Sequence, residues 1–370
     1  MDNTTVDALY LLPPEPQPHK ATQKAYKGLS PKFQGTAVPW NLALSDKAYK
    51  SFQRDRELYQ QQRDNLSLKY YNETYIPTDK VFEYMRPAKI NLSCYERYAS
   101  VDTTGHIHSF IPNSDGYASC VGYSRISTTT GRLKTIAGPM LLHLPKIYRG
   151  VLESRWSNGV VLSLDYNSLE PRVLLSVSGT QPVERGRDIY ETIRTNLFPN
   201  NQEVSRSIVK KIVLSEIYGA GINTIREQLP NVSNLQDITQ QIKNYFNLDP
   251  LLERLQYEWK TTGNNWIENF YGRRVKTETA HTLINHYIQS TAVDVAMLGF
   301  KNLLEYVEQL GRLEDIVPLF VLHDALILDI NPNAFSLING LAKVGGTDIK
   351  GLENTVFFMS VDKGFTKGAL

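Results

Sequence analysis

Two aspartates, Asp165 and Asp324, each close a run of apolar residues, GVVLSLDY over 159–166 and VPLFVLHD over 317–324. Runs of this length and β-branched content predict buried strands, and an acid at the tip of one needs a cation, a donor or water to meet it. One such Asp is ordinarily a capping or salt-bridged residue. Two, on strands that would be neighbours, suit a pair of magnesium ions. Mg²⁺ takes one or two protein carboxylates and leaves its other positions to water and phosphate oxygens.

A complementary set lies between them. On a helix of about 100° per residue, Arg206, Lys210, Leu214 and Tyr218 fall within an arc of roughly 120°. Two cations near the start of that face would hold a triphosphate, and its apolar and aromatic end would hold a flat base. The bland alternative is an amphipathic helix with solvated basic residues.

Positioning these groups requires a particular order of elements. The strand over 159–166 would deliver Asp165 into a turn, with Ser168 as N-cap of the next helix and Pro171 tolerated in its first turn. Helical periodicity is read over 203–218, 235–262 and 282–309. Ile316–Leu322 and Leu326–Ile330 read as strands around a His323-Asp324-Ala325 turn. No internal repeat is present.

The whole chain of 370 residues is long for one core, so two or three lobes are expected. Hydrophobic residues at 41% and charged residues at 21% exclude wholesale disorder, collagen and coiled coil. Forty Lys and Arg against thirty-eight Asp and Glu leave +2, so any surface for nucleic acid must be local. Between His19 and Tyr70, ten Lys/Arg face four Asp/Glu, with Tyr26, Phe33, Trp40, Tyr49, Phe52 and Tyr59 interleaved. That stretch reads equally as a DNA-backbone-tracking surface or as a solvated helical face with its own small core. Two cysteines and a polar start without a signal sequence fit a reducing cytosol, and no stretch reads as a membrane span. The expected location is cytoplasmic.

SLDYNSLEPRV at 163–173, RSIVKKIVLSEIYG at 206–219 and VLHDALIL at 321–328 resemble motifs A, B and C of family A DNA polymerases, the class of bacterial DNA polymerase I. TGRLKT at 130–135, FYGRRV at 270–275 and INHYIQSTAVDVA at 284–296 resemble three further family signatures, and all six stand in the family's order. The resemblance covers about 130 to 370. It implies an α+β, right-hand polymerase with an antiparallel-sheet palm, helical fingers and a reduced helical thumb. The corresponding divisions are a Pro-rich tail over 1–18, a thumb-like region and start of palm over 19–125, palm with motif A over 126–180, fingers with motif B over 181–280 and palm with motif C over 281–370.

The function implied is template-directed DNA synthesis, in which dNTPs extend a primer 3′-hydroxyl by two-metal phosphoryl transfer. Asp165 and Asp324, with the backbone carbonyl of Tyr166, would hold two Mg²⁺ ions. The resemblance implies that Lys210 would be catalytic and would grip the incoming phosphates together with Arg206. Tyr218 and Leu214 lie beside the nascent pair, Tyr190 lies at a phosphate-binding position, and Glu170 under the sugar selects dNTP over NTP. Arg132, Gln289 and His323 would line the primer-terminal minor groove, with Asn285 near the template. Donors there test pair shape without reading sequence. Expected partners are primer–template DNA, dNTPs and a separate exonuclease, helicase or processivity factor, with no membrane.

This chain departs from the family at several positions. Leu214 stands where Phe or Tyr is usual, Ser215 for Gly, Tyr190 for His, His281 for Arg and Ala325 for the Glu after the motif C aspartate. Met140 and Leu142 replace polar residues ahead of Pro145. Only about 130 residues precede TGRL, without an Asp-x-Glu nuclease segment, so proofreading is expected to be absent or on a partner. So compact a polymerase suggests a phage or other mobile replicon, and a host cytoplasm if phage-encoded. The rival from another class is a catalytically weakened, polymerase-like DNA-binding subunit of a replication complex. Its sign would be loss of Asp165, Asp324, Arg206 or Lys210, and all four are present. Glu170 argues against an RNA polymerase. A zinc site at Cys94, His106, His108 and Cys120 has no strong spacing in its favour.

Overall fold

The computed structural model describes residues 20–29, 44–54, 69–180, 183–184, 186–263, 265–355 and 357–362. The chain divides into two compact units, Met1–Leu68 and Lys69–Leu370. In the first, Lys20–Gly28 form a helix without acidic residues in its first turn, and residues 46–54 are helical. Tyr26, Tyr49 and Phe52 of the basic aromatic stretch are described, whereas the Pro-rich segment over 1–18, Phe33, Trp40 and Tyr59 lie outside the described residues.

The second unit is α+β, and its elements are numbered from Lys69. The strands are β1 (Lys89–Ile90), β2 (Gly122–Ser124), β3 (Lys134–Ala137), β4 (Leu152–Glu153), β5 (Val160–Tyr166), β6 (Trp266–Glu268), β7 (Arg274–Lys276), β8 (Ile316–Leu322), β9 (Ala325–Ile330) and β10 (Met359–Asp362). The helices are α1 (Ile76–Tyr84), α2 (Leu92–Ala99), α3 (Leu169–Val177), α4 (Ile189–Leu197), α5 (Arg206–Ile217), α6 (Ile222–Gln228), α7 (Leu235–Tyr245), α8 (Leu248–Thr261), α9 (Leu283–Gln309) and α10 (Ile338–Val344).

Four strands make the central antiparallel sheet in the order β10-β5-β9-β8. Strand β5 is interior and almost wholly buried, which is why its sequence is a continuous apolar run rather than an alternation. Pro318 sits on the edge strand β8, beside a register shift between Pro318 and Phe320. A residue without an N–H is tolerated there and not in the interior. The 27-residue α9 is apolar around most of its circumference and runs through the core for about 40 Å. It approaches the sheet closely at Gly299, where a Cβ would collide with the Tyr166 hydroxyl and the Gly345 carbonyl. That hydroxyl donates to Gly345 O, fixing the strand carrying Asp165 against the loop after α10.

Three local expectations change. The periodicity over 235–262 is not one helix but two, α7 and α8, broken where Phe246 turns into the core and Asn247 takes a left-handed φ of 49°. Asn tolerates that conformation better than most residues, and its side chain donates to Ser178 O at 3.3 Å. Ser168 stands at the N-cap position of α3 but has φ 54° and no side-chain capping bond. Its hydroxyl turns instead to Tyr190. The helix read over 203–218 begins at Arg206, with Ser205 accepting from Ile208 N at 3.3 Å as its cap.

Candidate active site

The β8–β9 hairpin turns through His323 and Asp324, with Leu322 already paired to Ala325 and His323 at φ 57°. On the neighbouring strand Asp165 is in register with Ala325, and Tyr166 N donates to Asp324 O at 3.2 Å. The turn therefore places the two acids side by side, close enough for their carboxyls to share a hydrogen bond. Burial, and then the charges of Asp324 and Asp362, push the Asp165 carboxyl up to about 7. Burial also raises Asp324. Among the described residues neither acid makes a salt bridge, although Lys146 lends Asp165 some opposing charge.

An open cleft of about 400 Å³ adjoins this pair. It is lined by Arg132, Glu170, Tyr190, Lys210, Leu214, Tyr218, Gln289, His323 and Asp324, so residues scattered over six sequence segments meet in one concavity. Lys210, Leu214 and Tyr218 do share a wall, although Tyr218 caps the end of α5 rather than continuing it. Arg206 is not part of the lining. It pairs with Asp188, the residue that caps α4, at 2.5 Å.

Across the cleft a polar chain crosses from motif A to α9. Tyr218 Oη donates to Glu170 Oε2 at 3.0 Å, and Arg132 Nη2 donates to Glu170 Oε1 at 2.8 Å. The Gln289 amide lies 2.5 Å from Thr130 Oγ1, and in the orientation that satisfies both groups its oxygen accepts from Arg132 at 3.0 and 3.3 Å. Desolvation and then the Arg132 guanidinium hold the His323 imidazole below its usual range, which favours the neutral ring. Asn285, one turn before Gln289 on α9, is outside the cleft lining, and its buried Oδ1 has no hydrogen-bond partner among the described residues.

The loop bearing Arg132 is held from beneath. Fully buried Asp294 accepts from Tyr70 Oη at 2.9 Å and Asn269 Nδ2 at 2.7 Å, and Arg273 Nη2 donates to Arg125 O at 2.8 Å. Gly131, at φ 82°, lies against the Arg273 guanidinium with no room for a Cβ. FYGRRV and the helix of Gln289 thus meet under TGRL, a proximity that motif order alone does not give.

The sequence reading missed Asp362, Lys146 and Arg172. Asp362 ends β10, whose register sets it diagonal to Asp165 across the pair Asp362–Ser163. Its signal was the alternation of Met359 and Val361 with exposed Ser360 and Asp362. Buried Arg172 donates to the carbonyls of Asn167, Val183 and Arg187 at 3.1, 3.2 and 2.7 Å, pinning the turn after Asp165 to the approach of α4.

Carboxylate oxygens fit a hard divalent cation, and two of them at one sheet end leave positions for phosphate and water, as Mg²⁺ requires. Among the described residues no group of three or more His, Cys, Asp or Glu side chains could hold a metal ion. The zinc set is therefore not assembled: Cys94 faces Arg97, and His106 stacks on His143 at 5.3 Å. Among the described residues no helix is long and apolar enough to cross a membrane.

Residues 41–344 match the family model of DNA polymerase family A. A thermostable DNA polymerase I from Thermus thermophilus is 26% identical over 251 residues, 60% of this chain and 29% of that protein. A DNA polymerase from Mycobacterium phage D29 is 29% identical over 147 residues, 37% of this chain and 24% of the relative. The chain thus spans under a third of the length of these curated relatives. The POL domain of Pol1 from M. smegmatis, solved in complex with DNA primer–template and dNTP, superposes with a TM-score of 0.67 at 15% identity, covering 96% of this chain and 80% of that one.

Proposed function

The chain belongs to DNA polymerase family A, and from that premise we propose that it is a DNA-directed DNA polymerase, extending a primer 3′-hydroxyl with dNTPs without intrinsic proofreading. One observation carries the reading: Asp165 and Asp324 adjoin at the sheet end without a salt bridge, at the edge of a cleft that also collects Lys210, Tyr218, Glu170 and Arg132. Negative charge left unmatched beside a cationic wall is poised for a metal-bound triphosphate.

Asp165, Asp324 and the Tyr166 carbonyl would hold two Mg²⁺ ions, which when bound supply Lewis acidity at the attacking hydroxyl and the departing pyrophosphate. Lys210, with Arg206 released from Asp188, grips the phosphates and matches their charge. Glu170, held by Arg132 and Tyr218, closes the floor beneath the sugar, where a 2′-hydroxyl would meet its carboxylate. Tyr218 and Leu214 pack the new base. Arg132, Gln289 and His323 present donors to the minor-groove acceptors of the primer terminus, and Asn285 stands toward the template. The hand-like division into palm, fingers and reduced thumb, with the boundaries expected from motif order, belongs to the same reading. So do an accessory exonuclease, helicase or processivity factor and a cytoplasmic setting. A weakened DNA-binding subunit is disfavoured because Asp165, Asp324, Arg206 and Lys210 are all retained in the sequence and Lys210 and Asp324 line the cleft.

Primer extension on a defined template, with dNTPs or NTPs and with or without Mg²⁺, tests this. Extension only with dNTPs and Mg²⁺ is expected, and an inert protein that still binds primer–template would favour the subunit. In the same assay without dNTPs, a mismatched primer should stay full length. Shortening abolished by a point substitution in this chain would contradict the absence of proofreading.

A further inference from the structure

Tyr190 is 3% exposed, in the first turn of α4, yet it reaches the cleft lining. The Arg206 guanidinium lies 5.4 Å from its ring centroid and the Lys210 ammonium 5.7 Å. Both distances are within the range in which a ring's quadrupole attracts a cation. The two cations come from one face of α5, four residues apart, where like charges repel. The ring is thus a neutral surface shared by two cations that would otherwise drive each other apart. Its hydroxyl is engaged by Ser168, whose left-handed backbone turns that side chain toward it.

We propose that Tyr190 is a positioning residue of the triphosphate site, a buried aromatic floor that holds Arg206 and Lys210 side by side and adds no charge of its own. The inference rests on the polymerase reading for the identity of the ligand, and on the ring and its two cations for the role. It departs from the expectation that residue 190 is itself a phosphate ligand. The charged and titratable groups facing the ring are Asp188 at the cap of its own helix, Arg206, Lys210 and Tyr218 on α5 and its end, and Arg172 on α3. None is a histidine, so the floor introduces no titration near neutrality.

Tyr190→Phe and Tyr190→Leu test this by two readouts, single-nucleotide incorporation and calorimetric binding of inorganic tripolyphosphate. Leu removes the ring face, so the dNTP KM should rise about tenfold with kcat changed less than about twofold, and tripolyphosphate should bind correspondingly more weakly. Phe keeps the face and should restore wild-type KM. Should the Leu variant unfold, the Phe variant decides, since it keeps the ring face and loses only the hydroxyl. A Phe variant whose KM rises, or whose tripolyphosphate binding weakens, by as much as expected for Leu overturns the floor. A wild-type protein that extends primers while Leu leaves KM and tripolyphosphate affinity unmoved overturns this inference alone. Failure of the wild type to extend, with tripolyphosphate binding intact and weakened by Leu, overturns the polymerase reading alone. A wild type that binds no tripolyphosphate overturns both.

Discussion

Strand β9 has an aspartate near each end. At its far end Asp329 is wholly buried, and three donors close on it: Ser154 Oγ at 2.6 Å, and the backbone N and Nε of Arg155, each at 3.0 Å. At the near end Asp324 and its neighbour Asp165 are only partly buried, and neither makes a salt bridge among the described residues. One sheet thus treats the same side chain in two ways. A structural acid is neutralised within the fold because an unmatched buried charge is costly. The acids beside the cleft are left short of positive charge, which is sensible only if something that binds there supplies it.

The comparison can be broken at either end. The larger effect is expected at the far end. Arg155→Ala would strip Asp329 of its cation, and chemical denaturation should show a loss of about 3 kcal/mol or more, with extension retained below the unfolding transition. A loss under about 1 kcal/mol would mean that the far-end pair is not structural.

At the near end the sign reverses. The folded-state pKa of Asp165 is raised to about 7 from the ordinary carboxylate value of 3.8, so its protonated form favours folding. That contribution is fully present below pH 4 and is lost as pH rises through about 7. Without divalent cations, Asp165→Asn should therefore be more stable than wild type by about 1 kcal/mol at pH 8, after allowance for its partial exposure. The difference should shrink toward pH 4. Thermal unfolding over that range checks it, and a variant less stable than wild type at pH 8 would show that Asp165 is a matched structural acid after all.

The near end was the more legible in sequence. Continuous β-branched runs announce interior strands, and an acid at the end of such a run stands out, so Asp165, Asp324 and the hairpin between β8 and β9 could be read directly. Motif order placed Arg132, Glu170, Lys210, Tyr218 and Gln289 on one site, and the cleft collects them all. What could not be read depends on contacts between distant segments. The break between α7 and α8 is set by Phe246 entering the core, and helical periodicity runs straight through it. Asp362 reaches Asp165 only because the last strand pairs with β5. Tyr190 was read at a phosphate-binding position, but its contact with two cations appears only when α5 lays Arg206 and Lys210 on its ring. The support of Arg132 by Arg273 and Asp294 is invisible for the same reason.

Under the proposed function, Asp165 and Asp324 are left unmatched because the reaction needs their charge. Single-turnover primer extension by Asp165→Asn can be run beside fluorescence-anisotropy binding of the same primer–template. Extension should fall at least about a hundredfold while DNA affinity stays within a few-fold of wild type. Extension at the wild-type rate, by a variant that binds DNA equally well, would contradict it.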